Sequence, residues 1–310
     1  MMMKLSILNS LCYTAGWFWC VLFGIHGQSI LAFIGALVLI LFQLYWTKIK
    51  NISLYIQDVI LIGFSIPLGL LLEMFFIQTN MIHYVDTNRM IPPIWIICLY
   101  PLFSLLVNHS LKIIKKSYLA SFLLGFIGAP LNYRAGVSLG GVTFGYPLTQ
   151  TWIMIGICWG LLLCLLSKIA NSIEKATEQT LEDCDAKIKL ELLYDGECPL
   201  CKREICMLQK KSNQTKITFT DISSKDFSPF EHKNIDYETA MSQIHAIDDQ
   251  GNLLVGVGAF AATYARCGLL VTSTLLRIPF IKCLAEPLYI LFAKKRLWIT
   301  GRMNAKSKNK

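Results

Sequence analysis

Cys198-Pro199-Leu200-Cys201 is the one pair among eleven cysteines whose spacing lets two sulfurs work together. Three residues apart on a helical turn, the second sulfur lies under the first. It is then close enough to close a disulfide and expel whatever the first has captured. The thiolate is the nucleophile, so the surroundings of Cys198 set its reactivity. Lys202 and Arg203 follow the pair and favour an anion, whereas Asp195 and Glu197 precede it and oppose one. Metal ligation is the competing chemistry, and a zinc or iron–sulfur site needs about four ligands. The chain has no second CxxC, so Cys206, Cys184 or His245 would have to be recruited.

The elements around the pair suit thiol chemistry. Lys189 to Tyr194 is an apolar run ending in Asp195-Gly196, which reads as a buried strand and a turn. Lys202 to Lys211 has helical composition, with Ile205 and Leu208 on an inner face. The cysteines therefore stand at a strand-to-helix junction, where unpaired N–H groups and the positive end of the helix dipole face an anion. Pro199 suits the first turn, where its missing N–H costs nothing. Lys216 to Thr220 alternates as a second strand. Gln243 to Ile247 and Asn252 to Val255 flank a turn as a hairpin, and a helix from Gly258 to Cys267 follows. This order predicts an α/β thioredoxin-like sheet.

Leu193-Tyr194-Asp195-Gly196-Glu197-Cys198-Pro199-Leu200-Cys201, with Ile244 to Asp248, Gly251, Gly256 and Gly258-Ala259-Phe260, resembles the DCC family of thiol-disulfide oxidoreductases, named for an aspartate and two cysteines. The resemblance runs from about Lys189 to Arg302. It implies Asp195, Cys198 and Cys201 as the catalytic set, and a thiol or disulfide partner, protein or small molecule. The residues themselves add Gly196, Pro199, Lys202 and Arg203 as supporting groups and His245 as either a structural hydrogen-bonding residue or a neighbour of the cysteines, with no cofactor or bound metal expected. True thioredoxins carry a cis-proline before the third strand; here Met241-Ser242-Gln243 stands there, so substrate docking must differ.

The other half of the chain supplies a membrane. With 54% hydrophobic and 16% charged residues in 310, the composition is too apolar for an ordinary soluble protein. Apolar runs of bilayer-spanning length predict a transmembrane helical bundle of six spans, over 6–25, 28–46, 58–78, 92–111, 118–133 and 150–167. The fifth is short and leads into a glycine-rich stretch, Gly136 to Gly145, that reads as a re-entrant or broken segment. Lys4, Lys48, Lys50, Lys112, Lys115, Lys116 and Lys168 fall on one side of the bilayer, and only Arg89 and Arg134 on the other. This places both ends of the bundle, and all that follows, in the cytoplasm.

Glu73, Asn108, His109 and Arg134 are ionisable or polar groups inside or beside these spans, where they are costly without partners. Asn108, His109 and Arg134 are expected to meet in one polar cluster, while Glu73, near a helix end, is expected to snorkel. Asn108-His109-Ser110-Leu111, Gly128 to Gly136 and Leu139-Gly140-Gly141 resemble an uncharacterised bacterial inner-membrane family over about residues 5 to 167. The resemblance implies a bacterial inner-membrane location and a link to lipid metabolism, with no activity to carry over.

The expected organisation is a membrane domain over 1–168, a polar, solvent-exposed helical linker over 169–187, the thioredoxin-like domain over 188–302 and a basic tail over 303–310. Leu269 to Phe292 is apolar, but charges and prolines interrupt it, which predicts amphipathic helices rather than a seventh span. The net charge of +9 is concentrated in Lys294, Lys295, Arg296 and the tail, a pattern of a solvated segment beside an anionic leaflet and not of nucleic-acid binding. A redox-inert or metal-binding accessory to a membrane protein of lipid metabolism or transport is the alternative functional class.

Overall fold

The change of composition near Lys168 has a structural counterpart. In a computed structural model describing residues 2–85, 91–186, 189–211, 216–233, 235–248 and 250–300, the chain divides into two compact units, Met1–Glu174 and Lys175–Lys310.

The first unit is helical: α1 (Met2–Ile25), α2 (Ser29–Lys50), α3 (Ile52–Gln78), then, after a short strand β1 (Ile82–Tyr84), α4 (Ile94–Ile97), α5 (Leu99–Asn108) and α6 (Tyr118–Ser138). A second strand, β2 (Val142–Phe144), precedes α7 (Leu148–Asp185). Four helices among the described residues, α1, α2, α3 and α7, are long and apolar enough to cross a membrane. Large apolar side chains such as Ile30, Leu41 and Leu161 point outward, which hydrocarbon solvates and water does not. Asn51 starts α3 by accepting the N–H of Leu54 at 3.0 Å.

The fourth and fifth expected spans take other forms. The run from 92 to 111 breaks between Ile97 and Leu99, because Pro101 has no N–H for the carbonyl of Ile97. Helix α6 continues through Pro130 to Ser138. The glycine-rich stretch beyond it forms β2, which pairs antiparallel with β1 in the register His83 to Thr143. A Cβ at Gly145 would lie 1.8 Å from the Asn80 carbonyl, so only glycine fits there.

The expected solvent-exposed linker is instead the continuation of α7. Ala176, Thr177 and Thr180 are buried. Thr180 is hydrogen-bonded at 3.2 Å to Ser273 and to Thr274. Asp183 binds Arg266 at 3.3 Å and also Arg277. The division between the two units falls inside this helix.

The second unit begins with β3 (Leu190–Tyr194), α8 (Pro199–Lys211) and β4 (Ile217–Asp221), and continues through α9 (Tyr237–Ser242), β5 (His245–Ile247) and β6 (Leu253–Val255) to α10 (Val257–Arg266), α11 (Leu270–Arg277) and α12 (Pro279–Ile299). The sheet order is β4-β3-β5-β6. Strands β3 and β4 are parallel, as a helical crossover requires, and β5 runs antiparallel to both β3 and β6. Leu190, Leu192, Ile205, Leu208, Ala246 and Ala259 form its core. Residues 270–277 and 279–299 are helical, and Leu284 and Leu288 of α12 are exposed.

Candidate functional site

The dithiol sits where β3 hands over to α8. Tyr194 ends the strand, and the turn is held by two carboxylates. Asp195 Oδ1 accepts the Glu197 N–H at 3.1 Å, and Asp221 Oδ1 accepts the Gly196 N–H at 2.9 Å. Glycine is required at 196, since a Cβ there would lie 1.9 Å from Asp221 Oδ2. Burial disfavours the Asp221 carboxylate, but hydrogen bonds from Ser223 and Gly196 and the charge of Lys202 outweigh it. Together they hold Asp221 below the usual carboxylate range. The Cys198 carbonyl accepts the Lys202 N–H at 2.8 Å, opening the helix that begins at Pro199.

Both cysteines are free, Cys198 buried and Cys201 half-buried. Burial, then a hydrogen bond to Cys198, pushes the Cys201 thiol up to about 12. Arg296, on α12, opposes this shift: its Nη1 lies 4.0 Å from Cys201 Sγ and its Nη2 lies 3.9 Å from Asp195 Oδ2, with a further donation from Nη2 to the Met241 carbonyl. Cys201, Asp195, Arg296, Tyr289, Phe260 and Gln243 share the wall of a cavity of about 40 Å³. The Tyr289 hydroxyl accepts the Ile244 N–H at 2.7 Å and so ties α12 to the start of β5.

Several expected roles change. Arg296, expected in the solvated basic segment, is 5% exposed and stands beside Cys201 and Asp195. Lys202 and Arg203 are exposed on α8, and Lys202 acts on Asp221. His245 lies in β5 opposite Leu193, with its Nδ1 3.0 Å from the Gln243 carbonyl, and does not line the cysteine cavity. Burial lowers its pKa. The tail beyond residue 300, like Arg89, lies outside the described residues. Asp221 and Arg296 carried no motif; only the length of the match beyond Pro279 hinted that α12 takes part.

In the membrane unit the polar residues separate into two groups. Asn108 and His109 meet Asp58 of α3, with Nδ2 3.0 Å from Oδ1 and Nε2 2.8 Å from Oδ2. Lys115 extends this group, 3.3 Å from Asn108 Oδ1 and 2.8 Å from Glu174. Arg134 does not join it and is exposed on α6. Glu73 does not snorkel: it is fully buried and accepts the hydroxyls of Tyr84, Tyr100 and Tyr133 at 2.5, 2.6 and 2.5 Å.

Comparison with known proteins accounts for both halves. Residues 192–302 match the DCC1-like thiol-disulfide oxidoreductase family, and residues 6–165 match the family described as protein of unknown function, DUF2878. The second match covers just over half of the chain, and the protein belongs to that DUF2878 family, with a DCC1-like domain following its membrane helices. A stretch of 115 residues is 45% identical to the uncharacterized chloroplastic protein At5g50100 of Arabidopsis thaliana, covering 37% of this chain and 54% of that protein. The chain thus spans about half the length of that curated relative. No solved structure matches.

Proposed function

We propose that the C-terminal unit is a thioredoxin-like thiol-disulfide oxidoreductase that works through Cys198 and Cys201, tethered to the cytoplasmic face of a bacterial inner membrane. The observation that carries this reading is two free thiols, three residues apart at the start of α8, with the buried Arg296–Asp195 pair beside Cys201. The sheet order β4-β3-β5-β6 and the dithiol after the first strand support the thioredoxin-like assignment. The lysines clustered in alternate loops of the membrane half support the orientation.

In the proposed cycle the Cys198 thiolate, poised at the helix N-terminus, attacks a disulfide of the partner. The partner's S–S bond breaks, a mixed disulfide forms, and the released sulfur takes up a proton. Cys201 then loses its proton and attacks Cys198 Sγ, closing the 198–201 disulfide and releasing the partner's second thiol. Two electrons pass from the dithiol to the partner, and a thiol reductant restores the pair. Burial pushes the Cys201 thiol up to about 12, which supports Cys198 as the first attacker. Because Cys198 is only 1% exposed, capture requires local opening at the β3–α8 turn.

Trapping in cells tests this reading. Cys201→Ser should accumulate a mixed disulfide on Cys198, and Cys198→Ser should accumulate none. Absence of both the trapped species and an oxidised 198–201 bridge would remove the assignment, and metal retained stoichiometrically by the purified protein would replace it with ligation.

A further inference from the structure

The membrane unit contains a second site, unrelated to the thiols. A cavity of about 170 Å³ lies among α1 and α3 to α7, with Glu73 in its wall and Trp17, Trp95, Tyr100, Tyr133 and Trp159 around it. By the same measure, a cavity of about 150 Å³ accommodates benzene, so this one takes a single compact organic group. Its rim reaches Leu124 and Asn132, which are exposed on α6.

The chemistry of the wall narrows the occupant. Three phenolic O–H groups donate to the Glu73 carboxyl, two to Oε1 and one to Oε2. Three hydroxyl donors on its two oxygens solvate the carboxylate form of Glu73, the form that a bound cation would select. Among the described residues no lysine, arginine or histidine forms an ion pair with Glu73. An anion in hydrocarbon without a counter-charge is costly. Electron-rich ring faces supply the complementary half of a cation site, since indole and phenol rings attract a poorly hydrated ammonium. Tyr100 and Trp159 stack at 5.4 Å and Tyr84 meets Trp95 edge-on at 5.7 Å, which fixes these rings before any ligand arrives.

We infer that this cavity binds an alkylated ammonium group, with Glu73 as its counter-ion and Trp95, Trp159 and Tyr100 as its aromatic walls. The group belongs either to a free amine or to a lipid headgroup entering past α6.

Calorimetric titration of the full chain in detergent with choline, and with its neutral isostere 3,3-dimethylbutan-1-ol, tests the charge requirement. Saturable one-to-one binding of choline at least tenfold tighter than the isostere supports the site. Glu73→Gln should abolish that preference, and Trp159→Leu, which keeps the charge, should weaken choline more than the isostere. Binding to free choline identifies a soluble source. Retention of phosphatidylcholine over phosphatidylglycerol by the protein in mixed-lipid nanodiscs, without binding of free choline, identifies a headgroup. Equal affinity for choline and the isostere in the unaltered protein overturns the proposal whatever the variants do, as does failure of both choline and phosphatidylcholine to bind.

Discussion

Arg296 brings a full positive charge within 4.0 Å of the half-buried Cys201 sulfur. An opposite charge at this distance lowers a thiol's pKa by roughly one unit or more, and one unit is about 1.4 kcal/mol. Arg296→Gln is therefore expected to slow closure of the 198–201 disulfide about tenfold at neutral pH, measured by quenched-flow alkylation of a preformed mixed disulfide. Arg296→Lys keeps the charge but loses the planar fork that reaches Met241 and should recover part of the rate. His245 yields a pH prediction of the same sign as a carboxylate held below its usual range, such as Asp221. Burial lowers its folded-state pKa below the 6.5 of the free side chain, so the neutral form is the one the fold favours. That stabilisation is complete above about pH 6.5 and is lost as pH falls below it. The melting temperature of the DCC1-like unit should drop between pH 7 and 5, and less so in His245→Gln. At this scale the motif made Cys198, Cys201, Asp195 and Gly196 legible. Arg296 was not, because nothing local distinguishes a buried guanidinium from a neighbouring solvated lysine.

Helices α6 and α7 meet through backbone. A Cβ at Gly125 would stand 2.5 Å from the Trp159 carbonyl oxygen, and one at Gly160 would stand 2.7 Å from the Phe122 ring. Ser121 and Ser167 hydrogen-bond across the same interface at 3.0 Å. Small residues give such helices their close approach. Gly125→Leu must push the two backbones apart, and a loss of roughly 2 kcal/mol or more is expected by analogy with overpacked cores, read as a lower midpoint in detergent-denaturation curves. Element types followed from composition here, but interruptions did not. The break at Cys98 traces to Pro101, whereas Pro130 leaves α6 unbroken. The pairing of β1 with β2 joins segments about sixty residues apart, which no local pattern announces.

For the whole molecule, the two-part reading of the sequence agrees with the two family matches and the two structural units. The division at residues 174 and 175 falls within the linker expected over 169–187, but that segment is not solvent-exposed, because Ala176, Thr177 and Thr180 are small residues that bury without an apolar signature. Sidedness is open to direct test. Cys206 and Cys283 are exposed in the second unit. A membrane-impermeant maleimide should label them in inside-out vesicles and leave them untouched in intact cells, and labelling from outside would reverse the proposed orientation.

The guanidinium that serves Cys201 lies ninety-five residues further along the chain. A ribosome working at about 5–20 residues per second needs roughly 5 to 20 seconds to cover that distance. For that interval each newly made molecule carries both thiols without their counter-charge. A transcript cut short before α12 would therefore yield a protein that keeps its signature motif and loses the electrostatics that tune it.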